Sequence, residues 1–269
     1  MITVNLKEKW GCIDENGNVV VDFRYKLPIY FGLNGLAAVE DEDSKWGYID
    51  KTGKTVIEFK YKAATNFSTN GLAAVQDDNY GYGFIDSNGK TIIDFKYQLV
   101  ISYWARPIAF INDLALVGKD NKYGFIDITG KEIIPFIYED AQENNIDGLI
   151  PVKKFGKWGL IDKKGNDVTG FKFDYLANFY NDLCGCKIDN KWGFIDTTGK
   201  IAIPAIYDQV WHFSPNGLAK VQKDGKIGFI NENGDIYIAI KFEDADNFDE
   251  NDIIAVKRNG LWGFIRLNE

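Results

Sequence analysis

A ten-residue motif that returns along the whole chain constrains the fold more than any other feature. It reads Lys-Trp-Gly-Tyr-Ile-Asp-Lys-Thr-Gly-Lys at residues 45–54. The position of Trp46 recurs as Trp10, Tyr82, Tyr123, Trp158, Trp192, Ile227 and Trp262. From Trp10 onward, successive positions are 36, 36, 41, 35, 34, 35 and 35 residues apart. A period of this length indicates a repeat architecture, in which each unit buries its apolar faces against its neighbours. We therefore interpret residues 1–269 as a single repeat array.

A turn signal lies at the end of each of the first seven copies of the motif. An Asp or Asn begins the turn, and a Gly stands at its fourth position. The side-chain oxygen at the first position can accept hydrogen bonds from nearby backbone N–H groups. The glycine supplies the positive φ of a type I turn that is followed by a bulge. These structural glycines are Gly17, Gly53, Gly89, Gly130, Gly165, Gly199 and Gly234.

Three strands are predicted in each repeat and are called a, b and c. In the second repeat they are residues 36–39, 46–49 and 55–61, and a tail that ends near Phe67 can add a fourth. Strand b is apolar on both faces, with Trp46 on one and Ile49 on the other, so both faces should be covered. Its glycine, Gly47, is expected to leave room for a ring of the neighbouring sheet. Strand c alternates apolar and charged residues and should lie at an edge, because other repeats carry Pro135 and Pro204 within it.

Short strands of this kind, covered on both faces, favour an all-β fold of sheets stacked face to face. A β-propeller with seven or eight blades meets this description. An open β-solenoid is the alternative, although it would leave one face of strand b wet. The repeated tryptophans are interpreted as structural residues between sheets rather than as a ligand-stacking ladder. They are Trp10, Trp46, Trp158, Trp192 and Trp262.

The fullest copy of the pattern is Lys-Trp-Gly-Phe-Ile-Asp-x-x-Gly-Lys-x-x-Ile-Pro-x-x-Tyr-Asp at Lys191–Asp208. It resembles the WG-repeat (KWG) family of bacterial proteins, and the resemblance extends over essentially the whole chain. It implies a repeat scaffold rather than a particular reaction. The chain departs from the pattern at Tyr82, Tyr123 and Ile227, which replace Trp, and at Asn231, which replaces Asp.

Composition excludes several classes of function. The net charge is −8, from 31 basic and 39 acidic residues, which argues against nucleic-acid binding. No apolar run approaches the ~20 residues that span a bilayer, so no membrane segment is expected. No signal-peptide layout is visible. The three cysteines are an odd number and cannot form a disulfide framework. A cytoplasmic protein is predicted, and a mature exported form is the alternative.

Metal, cofactor and catalytic sites are not predicted. One carboxylate per turn falls short of the oxygen cluster that Ca²⁺ requires. His212 is the only histidine, which excludes multi-histidine metal sites, and no nucleophile–base pair is visible. Cys184 and Cys186 lie on one face of a strand and are interpreted as reduced core thiols, as is Cys12. We expect no enzyme activity, no metal and no cofactor.

Candidate contact residues stand where the repeat is broken. The third repeat is 41 residues long, and its insertion contains Tyr103, Trp104, Arg106 and Phe110, which include residue types enriched at binding hot spots. A second candidate is the pair Trp211 and His212, where other repeats carry Thr65 or Ala177 and Asn66 or Asn178.

The function predicted from these observations is a non-enzymatic scaffold that presents loops to a protein or peptide partner. Small-molecule or glycan binding at the mouth or axis of a propeller is the alternative. A catalytic propeller is the least favoured interpretation.

Overall fold

The chain is built from short antiparallel strands. The computed structural model describes residues 1–98, 109–111, 113–142, 148–180, 182–248 and 252–267. Within these ranges the regular elements are strands, and no helix is long and apolar enough to cross a membrane. The chain divides into two compact units, Met1–Asn144 and Asn145–Glu269. The prediction of a single array over residues 1–269 is not decided by this division and stays a prediction.

The described residues of the first unit contain fifteen strands: β1 (Ile2–Leu6), β2 (Lys9–Ile13), β3 (Val19–Tyr25), β4 (Ala37–Glu40), β5 (Trp46–Ile49), β6 (Thr55–Tyr61), β7 (Ala63–Ala64), β8 (Ala73–Gln76), β9 (Tyr82–Ile85), β10 (Thr91–Tyr97), β11 (Phe110–Ile111), β12 (Leu114–Lys119), β13 (Lys122–Ile126), β14 (Glu132–Tyr138) and β15 (Asp140–Ala141). They form sheets in the orders β1-β2-β3, β4-β5-β6, β7-β8-β9-β10 and β11-β12-β13-β14.

The described residues of the second unit contain thirteen strands: β16 (Leu149–Lys154), β17 (Lys157–Asp162), β18 (Tyr175–Tyr180), β19 (Leu183–Ile188), β20 (Lys191–Asp196), β21 (Ile201–Tyr207), β22 (Gln209–Phe213), β23 (Leu218–Lys223), β24 (Lys226–Asn231), β25 (Ile236–Phe242), β26 (Asp244–Ala245), β27 (Ile253–Arg258) and β28 (Leu261–Arg266). Here β16 pairs with β17, and the following sheets have the orders β18-β19-β20-β21, β22-β23-β24-β25 and β26-β27-β28.

The predicted a, b and c strands are the repeating elements of the fold. Strand c lies at a sheet edge, as expected, and β3, β6, β10, β14 and β21 have the predicted bounds. The tail supplies a fourth strand, but this strand belongs to the next sheet: β7 pairs with β8, for example, and β22 with β23. Where a tail strand is present, the repeat is therefore tied to its successor by backbone hydrogen bonds as well as by side-chain packing.

One predicted c strand is wrong. Residues 167–173 make only isolated bridges to β17, between Trp158 and Phe173 and between Ile161 and Asp167. The Thr169 hydroxyl accepts a hydrogen bond from the Leu160 N–H, and Gly170 has a φ of +72°. A side-chain acceptor and a left-handed residue thus replace the regular ladder at this position.

Strand b is covered on both faces because its alternate residues face different sheets. Tyr48 packs in a core cluster with Phe67 and Ile85, which follow it in the chain. Ile49 packs with Cys12 and Val21, which precede it. Tyr48 and Ile49 are both 0% exposed. The fold is therefore an all-β repeat of the propeller class, as predicted, with the core lying between successive sheets.

The motif glycine has a different role from the one expected. A Cβ on Gly47 would lie 2.8 Å from the carbonyl oxygen of Ile57 and 3.0 Å from the ring of Phe59. Both belong to strand c of the same sheet rather than to a neighbouring one. The pairing of β5 with β6 shifts register on each side of Tyr48, and this irregularity brings the c backbone over the glycine.

The turns between b and c have the predicted side-chain acceptor. The Asp50 carboxylate accepts hydrogen bonds from the N–H groups of Thr52 at 2.8 Å and Lys54 at 3.1 Å. The Asp50 carboxylate thus accepts from backbone N–H groups two and four residues later in the chain. Gly53 has a φ of +82°, so a residue with a side chain would be strained there.

The structural tryptophans do not all have the same environment. Trp158 is 5% exposed, and Trp46 and Trp192 are partly buried against core clusters. Trp262 is 51% exposed, so the structural role expected for it is not seen. Its strand, β28, has no strand c beside it among the described residues.

The glycine contact predicts a position-specific loss of stability. A Cβ at Gly193 would collide with the main chain of Ile203 and Ala205. We expect Gly193→Ala to lower the free energy of unfolding by about 1–3 kcal/mol, measured by urea denaturation. Gly185→Ala is the matched control in the same sheet, because the added Cβ would have its nearest neighbours at 3.6 Å. Equal losses in the two variants would contradict this explanation.

The turn carboxylates predict a loss of stability in acid. A hydrogen bond from the Thr side chain two residues on is the main cause that lowers the pKa of Asp50, Asp127 and Asp196 below 3.8. A carboxyl group whose pKa is lower in the folded than in the unfolded chain stabilises the fold at pH values above the unfolded pKa. This contribution is lost as pH falls through the folded pKa. We expect a triple variant, Asp50→Asn, Asp127→Asn, Asp196→Asn, to show a smaller fall in the urea midpoint than the wild type as pH drops below about 4.

Asn231 shows that an amide can take this role. Its side-chain oxygen accepts from the N–H groups of Asn233 at 3.1 Å and Asp235 at 2.9 Å. A triple variant with the same change in charge, Glu8→Gln, Glu15→Gln, Asp43→Asn, is the control because none of these residues begins a turn. The same acid profile in both triple variants would show that net charge, rather than the turn acceptors, sets the pH dependence.

Candidate binding surface

The insertion in the third repeat does not supply the expected surface within the described residues. Tyr103, Trp104 and Arg106 lie outside the described ranges. Phe110 is 7% exposed, and its ring centroid lies 4.8 Å from that of Phe84. It is a core residue rather than a contact residue, because it occupies the tail position that Phe67 holds one repeat earlier.

A bulge in β22 positions the second predicted pair. Val210 pairs with Val221 and Phe213 pairs with Ala219, so two residues, Trp211 and His212, stand opposite one, Lys220. The buried Phe213 anchors the end of the bulge by packing 5.0 Å from the ring of Phe194. Because β22 is an edge strand, the bulge turns its extra side chains toward the surface.

Trp211 and Lys220 form the centre of this surface. The Lys220 Nζ lies 4.6 Å from the Trp211 ring centroid, a distance at which the cation is attracted to the aromatic face. It also donates a 3.0 Å hydrogen bond to the backbone carbonyl of Ala245. Burial lowers the pKa of Lys220, while the carboxylates of Asp244 and Asp246 oppose that shift. The lysine is thus a partly dehydrated cation beside a partly exposed indole.

Two small cavities flank Trp211. One, of about 110 Å³, is lined by Tyr180, Trp192, Val210, Trp211 and His212. The exposed His212 ring packs 5.1 Å from Tyr180 at its rim. The other has about 160 Å³, and its lining includes Lys220 and Phe248. We call Tyr180, Trp211, His212, Lys220 and Phe248 the Trp211 surface.

Sequence reasoning found Trp211 and His212 but missed Lys220 and Tyr180. A signal for Lys220 was present, because the same position in other a strands holds Ala38, Ala74 or Ala255. The preceding repeat provides a direct comparison: Leu176 pairs with Cys186 and Phe179 with Cys184, so Ala177 and Asn178 bulge opposite Gly185. The same backbone irregularity therefore carries small residues in one repeat and an aromatic–cation pair in the next.

The first unit contains a larger open cavity of about 400 Å³. Its lining includes Arg24, Tyr25 and the acidic residues Asp41, Glu42 and Asp43. The Arg24 guanidinium donates to the Tyr25 hydroxyl at 2.9 Å. No group of three or more His, Cys, Asp or Glu side chains suited to a metal ion occurs among the described residues.

The cysteines are buried thiols. Cys184 and Cys186 belong to one core cluster with Leu160 and Ile195, and Cys184 donates to the Ala177 carbonyl at 3.0 Å. Burial raises the pKa of Cys184 and raises that of Cys186 to about 11. Cys12 is also buried, and burial is the main cause that raises its pKa.

The repeat pattern of this chain matches a known family model. The model described as WG containing repeat matches residues 10–46, 46–80, 82–123, 123–158, 158–192, 192–226 and 227–262. These seven consecutive matches extend over nearly the whole sequence. A search among curated protein sequences found no significant match.

Solved structures of the propeller class are similar to the chain. A crystal structure described as the eukaryotic initiation factor matches with a TM-score of 0.57 and 11% identity, covering 94% of this chain and 77% of that one. The crystal structure of BamB from Moraxella catarrhalis matches with a TM-score of 0.46 and 13% identity, covering 99% and 96%. At such identities the likeness to the initiation factor supports the fold alone.

Thiol burial predicts low reactivity in the folded chain. Thiolates are the reactive form, and a raised pKa together with burial keeps that form scarce. We expect a colourimetric disulfide reagent at neutral pH to label none of the three cysteines rapidly in the native chain and all three in denaturant. Rapid labelling of Cys184 or Cys186 in the folded protein would contradict the core assignment. In Cys12→Ser only Cys184 and Cys186 can be labelled, so comparison with the wild type gives the labelling of Cys12.

Proposed function

We propose, from the premise that this chain belongs to the WG-containing repeat family, that it is a non-enzymatic scaffold that binds a protein or peptide through the Trp211 surface. The observation that carries the proposal is the bulge that sets Trp211 and His212 opposite Lys220 on an exposed sheet edge. A repeat fold of the propeller class fits a binding or scaffold role, and departures from its regular pattern are where recognition can reside.

The sizes of the cavities favour side chains of a peptide over a whole small molecule. Drug-sized ligands occupy pockets of about 300–1,000 Å³. The two cavities beside Trp211 have about 110 and 160 Å³, which is room for one side chain each. Since Trp211 lines both, an extended segment that crosses the indole could place successive side chains on its two sides.

The polar groups define the chemistry of the segment. Aromatic rings of Trp192, Trp211 and Phe248 line the cavities and suit apolar or aromatic side chains. The Lys220 ammonium has three N–H donors, of which one reaches the Ala245 carbonyl. An acidic side chain or backbone carbonyl of the partner can accept from another. The preferred ligand is therefore a peptide with an acidic residue near an apolar or aromatic one.

The absence of a catalytic role is part of this proposal rather than an observation. Its support is that His212, the only histidine, packs at the rim of the surface against Tyr180. Ser214, which lines one cavity with it, has its hydroxyl 2.7 Å from the Leu218 carbonyl oxygen and 2.8 Å from Asn216 Oδ1, so these groups rather than the imidazole are its hydrogen-bond partners. A chemical site would need an acid–base pair and a reacting group that converge.

Substitution of Trp211 tests this function directly. Peptides selected from a displayed random library on the full chain should contain an acidic residue near an aromatic one. We expect Trp211→Ala to weaken their binding by about tenfold to thirtyfold, the loss of a hot-spot side chain, measured by calorimetry. Lys220→Ala should weaken acidic peptides selectively. Both changes copy residues found at equivalent positions of other repeats, Ala177 and Ala74, so the fold should tolerate them.

Phe155→Asp is the matched control. Phe155 is 80% exposed at a hairpin turn with a φ of +54°, and equivalent turns carry Asp189 and Asp224. The variant removes an exposed aromatic from the same unit without touching the Trp211 surface. Equal binding by the wild type and Trp211→Ala would refute the proposed site. Binding of a glycan array in place of peptides, with the same dependence on Trp211, would favour the alternative function.

A further inference from the structure

Strand c is a sheet edge in six of the described sheets, and its fourth position is where these edges differ. The six strands are β3, β6, β10, β14, β21 and β25. All of them have register shifts against their b strands, so this irregularity does not distinguish them. A charged residue or a proline at an edge hinders the addition of a further strand. Five of the six strands carry one or the other at the fourth position: Asp22, Glu58, Asp94, Pro135 and Pro204.

β25 lacks this protection. Its fourth residue is Ala239, which is exposed. Ile236 is 60% exposed and Tyr237 is 55% exposed in the same strand, and the first charged residue within the strand is Lys241. The strand lies inside the array, between β24 of its own sheet and β26 of the next. An apolar edge without a charge or a proline at its centre is a template for another strand.

The preceding edge, β21, shows what the fourth position does. It is also apolar, since Ile201 and Ile206 are each 44% exposed. Pro204 lies between them, and a proline has no N–H to donate to an added strand. Ala239 of β25 keeps its N–H. Of these two neighbouring apolar edges, β25 alone can therefore form a continuous ladder with another strand.

The apolar residues of β25 are complementary to themselves in the antiparallel direction. With a two-fold axis at Ile238, Tyr237 would lie opposite Ala239 of a second copy, so that a large side chain meets a small one. Ile236 would lie opposite Ile240. Opposite residues of an antiparallel pair are on the same face of the sheet, which lets these side chains contact each other. A two-fold axis repeats every contact, as is typical of homodimers.

The charges at the two ends of the segment fit the same arrangement. The axis at Ile238 would set Asp235 of each copy opposite Lys241 of the other, and both residues are exposed. Neither takes part in a salt bridge within the part of the chain that the structure describes. An axis moved by one residue to Ala239 would instead set Asp235 opposite Glu243, and like charges in opposite positions are destabilising. Charge complementarity therefore selects the axis at Ile238.

We propose that two copies of the chain associate by antiparallel pairing of their β25 strands about a two-fold axis at Ile238. The occupant is a second copy because one short segment supplies both the apolar contacts and the two opposite charges. A single pair of strands is a small interface, so the dimer is weak and forms as concentration rises. β22 and β25 are opposite edges of one sheet, and no residue that lines the cavities beside Trp211 belongs to β25.

Sedimentation velocity of the full chain, from about 5 to about 500 μM, tests the association. We expect a monomer that converts to a dimer as concentration rises. Ala239→Pro should stay monomeric over this range, and the fold should tolerate it because Pro135 and Pro204 occupy the equivalent position. Ile206→Lys is the matched control: it changes an exposed apolar residue of β21 to the type of Lys60, and it should associate as the wild type does.

An exchange of charges tests the register of the pairing. Asp235→Lys and Lys241→Glu each create two like-charge pairs, and each should raise the dissociation constant by about tenfold. The double variant restores opposite charges and should return to within about threefold of the wild type. Lys54 and Lys200 stand in the place of Asp235 in other repeats, so the fold accepts a lysine there. Thermal midpoints equal to that of the wild type confirm folding.

Three results would overturn the proposal. A wild type that sediments as a monomer over the whole range would exclude the dimer, and a dimer that persists in folded Ala239→Pro would place the contact elsewhere. A double charge variant that associates no better than the single variants would exclude the axis at Ile238. Trp211→Ala should dimerise as the wild type does, so this test and that of the Trp211 surface fail separately.

Discussion

The contact between an aromatic residue of one b strand and the phenylalanine of the next tail holds successive sheets together. Tyr48–Phe67, Phe84–Phe110, Phe194–Phe213 and Phe229–Phe248 have ring centroids 4.8–5.2 Å apart in tilted or edge geometry. Such pairs contribute about 0.5–1.5 kcal/mol each beyond the area that they bury. Because the tail strand pairs with the next a strand, each ring pair also fixes where the following sheet begins, and packing and hydrogen bonding determine the same neighbour.

This contact requires a b strand that has a glycine beside its aromatic residue. A strand that packs on both faces must also accept strand c at its side, and the register shifts in the b–c pair bring the c backbone over the glycine. The aromatic–glycine pair of the motif therefore satisfies two requirements with adjacent residues: one side chain fills the space between sheets, and the missing side chain admits strand c. Beside β28, where the described residues contain no strand c, the ring and the glycine space are exposed together.

The sequence was sufficient to predict the features that repeat. The alternation of apolar and charged residues located β6 and β10, and the Asp-to-Gly turn located their starts. It failed where a tertiary contact decided the outcome. Its position in an insertion predicts that Phe110 is a contact residue, yet it fills the place that Phe67 holds in the preceding repeat. The role of Gly47 depends on a register shift, which a count of residues does not reveal.

An insertion that lengthens a repeat and a substitution that changes a residue type are therefore different indications of function in a repeat protein. After an insertion the chain can regain the next anchor residue, as the burial of Phe110 shows. A substitution within a backbone irregularity that recurs from repeat to repeat is different, because the backbone fixes where the side chain goes. The bulge opposite Gly185 holds Ala177 and Asn178, whereas the next bulge holds an indole and an imidazole opposite a lysine whose burial lowers its pKa. Burying part of a cation opposes stability, and the small residues in the equivalent repeat show that the fold does not require it, which supports the recognition role proposed for this surface.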